Sequence, residues 1–188
     1  MSKDFDELMP NYAPVNNNVV VQSCPNKCCD TGSQAPGIRF AFALDSRERE
    51  AILGTLITLQ PIQTSVGDRV KLDAMVQINT GTNGNGNLAF SGVVIALRRR
   101  TLLLGQDSPT VTDLVEIRID DDELNNTEGA GGNDYTRIVS LTWVDTPPAG
   151  INTYFLDTIE LGMNNIESRT YSNRSLNAII FPIGNALN

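Results

Sequence analysis

From Gly37 onward, apolar and polar residues follow a period of two. The clearest stretch is 69–78. Val70, Leu72, Ala74, Val76 and Ile78 fall on one side of it, and Arg69, Lys71, Asp73 and Gln77 on the other. Successive side chains of a strand point to opposite faces, so this stretch predicts a strand buried on one face. The same period recurs in Ile38–Leu44, where Phe40 and Phe42 share a face. It recurs again in Tyr135–Val144, where Ile138, Ser140 and Thr142 oppose Val139, Leu141 and Trp143. Ile52–Leu59, Leu88–Leu97, Val111–Ile119, Thr153–Leu161 and Arg174–Ile183 are the remaining apolar runs. Glu48–Leu59 is ambiguous by period, but its β-branched residues and Gly54 favour strand over helix.

Turn chemistry separates these runs. Ser46–Glu50 and Val66–Asp68 predict turns, as does Pro147–Gly150. Asn79–Asn87, with its repeated Asn-Gly steps, predicts a loop, and Asp120–Asp134, rich in acid, Asn and Gly, predicts another. Arg98–Arg100, followed by a returning Thr101–Leu104, predicts a tight hairpin. About eight strands and no helix of useful length define an all-β chain. The expected architecture is an antiparallel jelly-roll sandwich of about eight strands, preceded by an extended N-terminal arm.

The arm is residues 1–36 and the jelly-roll domain residues 37–188. Pro10, Pro14, Pro25 and Pro36 break the arm, and Asn16–Asn18 precede a β-branched run, Val19, Val20 and Val21, that could pair as a strand. All three cysteines of the chain, Cys24, Cys28 and Cys29, lie in this arm. A vicinal bond between Cys28 and Cys29 would distort the peptide that joins them, and any Cys24 bond leaves one thiol over. An odd thiol in an exposed arm points to a bond with another chain. The alternatives are incidental free thiols, or a zinc site of three thiolates completed by Asp30 or a second chain.

Charge and composition narrow the function. The chain has 14 basic and 22 acidic side chains, a net charge of −8. Such a balance disfavours a phosphate backbone as partner. The sequence contains no histidine, the usual acid–base residue and the commonest metal ligand. No nucleophile, base or phosphate loop assembles from the remaining residues, so an enzyme is not expected and no cofactor is implied. Asp120, Asp121, Asp122 and Glu123 supply oxygen ligands of the kind calcium takes, but without the spacing of a calcium loop; a solvated loop is the simpler reading. Arg98–Arg100 reads as a solubilising turn or as the source of an ion pair between subunits.

No apolar run reaches membrane-spanning length, and MSKDFDELMP lacks the features of a secretory signal. The thiols nevertheless suit an oxidising place. A protein assembled inside a cell and released by lysis reconciles the two, which fits spore-surface and virion proteins alike.

The succession FAFALD, SVGDRVKLDAMVQI, SGVVIALRRRTLLLG, YTRIVSLTWVDTPPAGINTYFLDTIEL and SLNAIIFP resembles the jelly rolls of the tumour-necrosis-factor-like and complement-globular-head superfamily, over about Gly37 to Ile183. The turn TPPAG ahead of Tyr154 and Phe155, and the closing strand LNAIIFP, carry most of the likeness. Bacterial members of that superfamily cap collagen-like filaments and coat spores; this chain has no Gly-X-Y tract. The arm resembles the N-terminal connector of endospore appendage fibre subunits, with Val19–Val21 as its apolar part and Cys28-Cys29 as its cysteine pair. Those subunits hold receptor cysteines in the body, and this body has none. The resemblance therefore implies cross-links from arm to arm, or from arm to a second surface protein.

Together these readings lead to an expected role. The chain is a structural subunit that assembles with copies of itself in a ring, trimer or filament, of spore-appendage or exosporium type. It is joined by arm exchange and disulfides. A trimeric virion or spore-tip module that binds a receptor or glycan is the alternative.

Overall fold

A computed structural model describes residues 37–50, 54–103, 105–125 and 132–183. The arm residues Val19, Val20, Val21, Cys24, Cys28 and Cys29 lie outside the described residues. Ten strand segments run in the order β1 (Arg39–Asp45), β2 (Arg49–Glu50), β3 (Gly54–Thr58), β4 (Ile62–Thr64), β5 (Arg69–Thr82), β6 (Ala89–Leu102), β7 (Thr110–Leu124), β8 (Asp134–Asp145), β9 (Gly150–Asn164) and β10 (Ile166–Phe181). No described helix is long and apolar enough to cross a membrane.

The strands form two antiparallel sheets. Sheet A has the order β1-β10-β5-β8, with β2 continuing the β1 edge; sheet B has the order β3-β9-β6-β7, with β4 continuing the β3 edge. Counting each broken edge strand once gives eight positions. Apart from the β6–β7 hairpin, the chain changes sheet at every step between those positions. This is a jelly-roll sandwich, in which two sheets face each other across one core.

Alternation along each strand decides what enters that core. Val70, Leu72, Ala74, Val76 and Ile78 of β5 are buried, as the period-two reading requires. Val93, Ile95 and Leu97 of β6, Leu156 of β9, and Leu176, Ala178 and Ile180 of β10 meet them. A fully buried side chain of this size contributes about 1.5–3 kcal/mol of transfer free energy, so these residues dominate the stability of the body.

The structure corrects three expectations. Arg98–Arg100 form no hairpin. β6 runs straight through them, and the turn back to β7 comes after Leu102. Extended backbone is tolerated there because the three side chains alternate in direction and each finds a partner or an aromatic face. Asp120–Glu123 are not loop: they belong to β7, which pairs with β6 as far as Ala89↔Leu124. Asn79–Thr82 likewise belong to β5 and continue its ladder with β8. In each case a cross-strand partner outweighs the local polar composition.

Candidate functional site

The outer face of sheet A departs most from what a solvated sheet requires. β1 reads RFAFALD, and its small residues Ala41 and Ala43 point into the core. Phe40, Phe42 and Leu44 therefore point outward, on the edge strand of the sheet. Register continues the pattern onto β10. Phe40 lies opposite Ile179 and Phe42 opposite Asn177, while inside the sandwich Ala41 lies opposite Ala178. Phe40 is 39% exposed, Phe181 40% and Leu44 65%, with Ile38 also exposed. An antiparallel sheet with one face in water normally places polar residues there. Farther across the same face, Lys71 pairs with Asp73 at 2.6 Å, and Thr142 donates to Asp73 at 2.7 Å. Met75, Ile138 and Val144 are scattered beyond. The continuous apolar strip is thus Ile38, Phe40, Phe42, Leu44, Ile179 and Phe181.

The far end of this face is polar. Glu48, Asn79, Thr136, Asp134, Ser168 and Thr170 line a cleft of about 280 Å³ over Gly81. A Cβ at Gly81 would lie 2.7 Å from the Ser168 hydroxyl oxygen, so the absence of a side chain keeps this floor open.

The outer face of sheet B is laced with ion pairs instead. The Arg98 guanidinium lies 2.6 Å from Asp113 and 2.9 Å from Asp157, and the Thr55 hydroxyl donates to Asp157 at 2.7 Å. Arg118 pairs with Asp120 at 2.6 Å, and Arg100 lies over the Phe155 ring, 5.4 Å from its centroid. These partners are within the chain, so the arginine run is satisfied without another subunit.

Strand geometry separates the acidic run. Asp120 pairs with Arg118 on the outside. Asp121 turns to the other face and meets Arg137 of β8 at 2.8 Å. Consecutive strand residues cannot converge on one ion, and among the described residues no group of three metal-binding side chains forms.

Two buried charge clusters escaped the sequence reading. In the first, Arg99 of β6 reaches across the core to Asp145 of β8, with its Nη1 2.7 and 2.6 Å from the two carboxylate oxygens. The Tyr154 hydroxyl donates to Asp145 at 2.9 Å. Burial, and then the neighbouring negative charge of Asp145, push the Tyr154 phenol far above its ordinary range. Thr101, Asn152 and Thr64 extend the network to the Pro148 carbonyl. In the second, Arg174 of β10 is buried and sits 2.9 Å from Asp45, which Arg47 also holds at 3.1 Å. Burial lowers the pKa of Arg174. Burial alone would raise that of Asp45, but hydrogen bonds from Arg47 and the positive charges of Arg174 and Arg47 outweigh it and hold Asp45 below the usual carboxylate value. A bulge between Ser172 and Ser175, with Asn173 at φ 44°, re-aims Arg174 inward. The available signal was parity: Asp145 shares its side of β8 with Val139, Leu141 and Trp143.

The fold and the face together define the chain as a jelly-roll β-sandwich with an apolar strip on one outer sheet. No family model and no curated protein sequence matches it. Among solved structures, it resembles a chain of the infectious bursal disease virus Gx strain at 14% identity and a TM-score of 0.42. That alignment covers 89% of this chain and 39% of the other. It resembles the VP2 subviral particle of the same virus at 12% identity and a TM-score of 0.43, covering 95% of this chain and 42% of the other. The chain therefore spans about two fifths of the length of the chains it resembles. The likeness is one of fold.

Proposed function

We propose that this chain is a structural, self-assembling subunit of an extracellular particle or fibre. The observation that supports this reading most is the inverted β1 strand. Its phenylalanines face out and its alanines face in, so the larger apolar side chains stay partly in water until further polypeptide covers sheet A. Phe40 is still 39% exposed, and covering what remains gains roughly 25 cal/mol per Å² of apolar surface, which favours association over a free body.

In this reading the arm, Met1–Pro36, passes to a neighbouring copy, and Cys24, Cys28 and Cys29 lock the contact. Each bond forms when two thiolates lose two electrons to dioxygen or to an external disulfide, after release from the reducing cytoplasm. Dissociation then requires reduction as well as loss of packing.

Light scattering and electron microscopy of unreduced protein test the assembly. Closed particles or fibres are expected; single chains at every concentration overturn the reading. Non-reducing gels test the lock: ladders that collapse on reduction are expected, and cysteines that alkylate freely in the native particle overturn it.

A further inference from the structure

We infer that the strip of Ile38, Phe40, Phe42, Leu44, Ile179 and Phe181 is the seat for the N-terminal arm of a neighbouring copy, centred on that copy's Val19–Val21, and not a contact between two jelly-roll bodies. The inference rests on the assembly reading above and names what covers the exposed face.

Size decides against a second body. The strip spans one edge strand and its neighbour, a footprint of about 20 Å by 10 Å from strand geometry. A stable interface between two folded bodies takes about 800 Å² from each partner. A footprint this narrow matches a single extended segment, which gains affinity by seating alternate side chains against an apolar surface. The rest of the face offers a body no second continuous apolar area: Met75, Ile138 and Val144 are set apart by the Lys71–Asp73 pair, and Asn177 interrupts the strip itself.

Chain length and position supply the segment. The chain outside the described residues on this side is 1–36, and it ends beside Ile38, at the corner of the strip. The residues just before Pro36, Asp30-Thr31-Gly32-Ser33-Gln34-Ala35, are polar or small. Folded straight back they would lay hydroxyls and an amide on the phenylalanines. The apolar run Val19–Val21 comes earlier, and residues 22–37 reach roughly 55 Å when extended. That reach is long enough for the run to pass its own β1 and arrive at the next copy.

Placing the photo-crosslinker p-benzoylphenylalanine at position 40 of the full chain tests this directly. Copies with ordinary and heavy nitrogen are mixed under reducing conditions, allowed to assemble, oxidised and irradiated. Mass spectrometry then reads the linked peptides, and light scattering the same sample. Links from position 40 to residues 1–36 of a copy carrying the other label are expected to dominate. Assemblies whose links run to residues 37–183 of another copy, to the arm of the same copy, or nowhere overturn the inference while leaving the assembly reading standing. A sample holding only single chains overturns both.

Discussion

Arg99 and Asp145 clasp the two sheets from inside: the arginine rises from β6 of sheet B, the carboxylate comes from the end of β8 in sheet A, and their closest atoms are 2.6 Å apart. Both are buried at an edge where β8 would otherwise splay from β7 and β6. Asp145→Asn keeps the shape and removes the charge, leaving a buried guanidinium without its counterion. Loss of one partner of such a pair costs about 3–5 kcal/mol. Urea unfolding of the variant is expected to show that loss as a lower midpoint with an unchanged slope.

Tyr154 makes the same cluster sensitive to alkali. Its folded-state pKa is raised above the ordinary phenol value of 10.0. Its contribution is therefore complete below about pH 10 and falls as pH rises from there, because the unfolded phenol ionises first. Tyr154→Phe removes that slope. Stability measured between pH 9 and 12 is expected to fall less steeply in the variant, although at pH 7 the variant is weaker by about 1 kcal/mol for the lost hydrogen bond.

Asp45 governs the acid side with the opposite sign. Its pKa is lowered from 3.8 in the folded body, as is that of Asp73, where the hydrogen bond from Lys71 leads. Their contribution is present above about pH 4 and is lost as pH falls through the depressed folded values. Asp45→Asn is expected to flatten the acid limb of a stability–pH profile. It also costs about 3 kcal/mol at neutral pH by stranding the buried Arg174.

The bulge at Asn173 is held in the left-handed region at φ 44°. Asn173→Gly is expected to leave the melting midpoint nearly unchanged, whereas Asn173→Val costs roughly 1–2 kcal/mol because a β-branched residue resists that conformation. Calorimetry of the two variants side by side separates backbone strain from loss of the Asn173–Gln77 hydrogen bond of 2.8 Å.

Phe40 and Phe42 separate assembly from folding. Phe40→Thr and Phe42→Thr alter the outer surface and leave the core pairs Ala41↔Ala178 and Ala43↔Leu176 in place. Unfolding free energy is expected to change by no more than about 1 kcal/mol. Sedimentation of the double variant is expected to show at least a tenfold smaller assembled fraction. A large loss of stability with assembly intact would place the phenylalanines in the core economy of the body instead.

Period-two alternation was enough to read the all-β class and the inward face of β5, because a strand repeats its two faces without help from neighbours. The sense of β1 was not decided locally. FAFAL alternates equally well either way round, and only the register against β10, which sets Ala41 opposite Ala178 and Ala43 opposite Leu176 inside the sandwich, puts alanine and not phenylalanine on the inside. Arg98–Arg100 and Asp120–Glu123 read as turn and loop because charge runs are usually solvated. They became strand because β6 and β7 pair with each other along these runs, and because Arg98 and Arg99 meet Asp113 and Asp145 while Asp120 and Asp121 meet Arg118 and Arg137. The Arg99–Asp145 and Arg174–Asp45 pairs join residues 46 and 129 positions apart, so neither exists until the sheets close. By itself the sequence determined which residues could make strands. The tertiary structure decided which side of each strand met the core, and so which phenylalanines were left on the outer face.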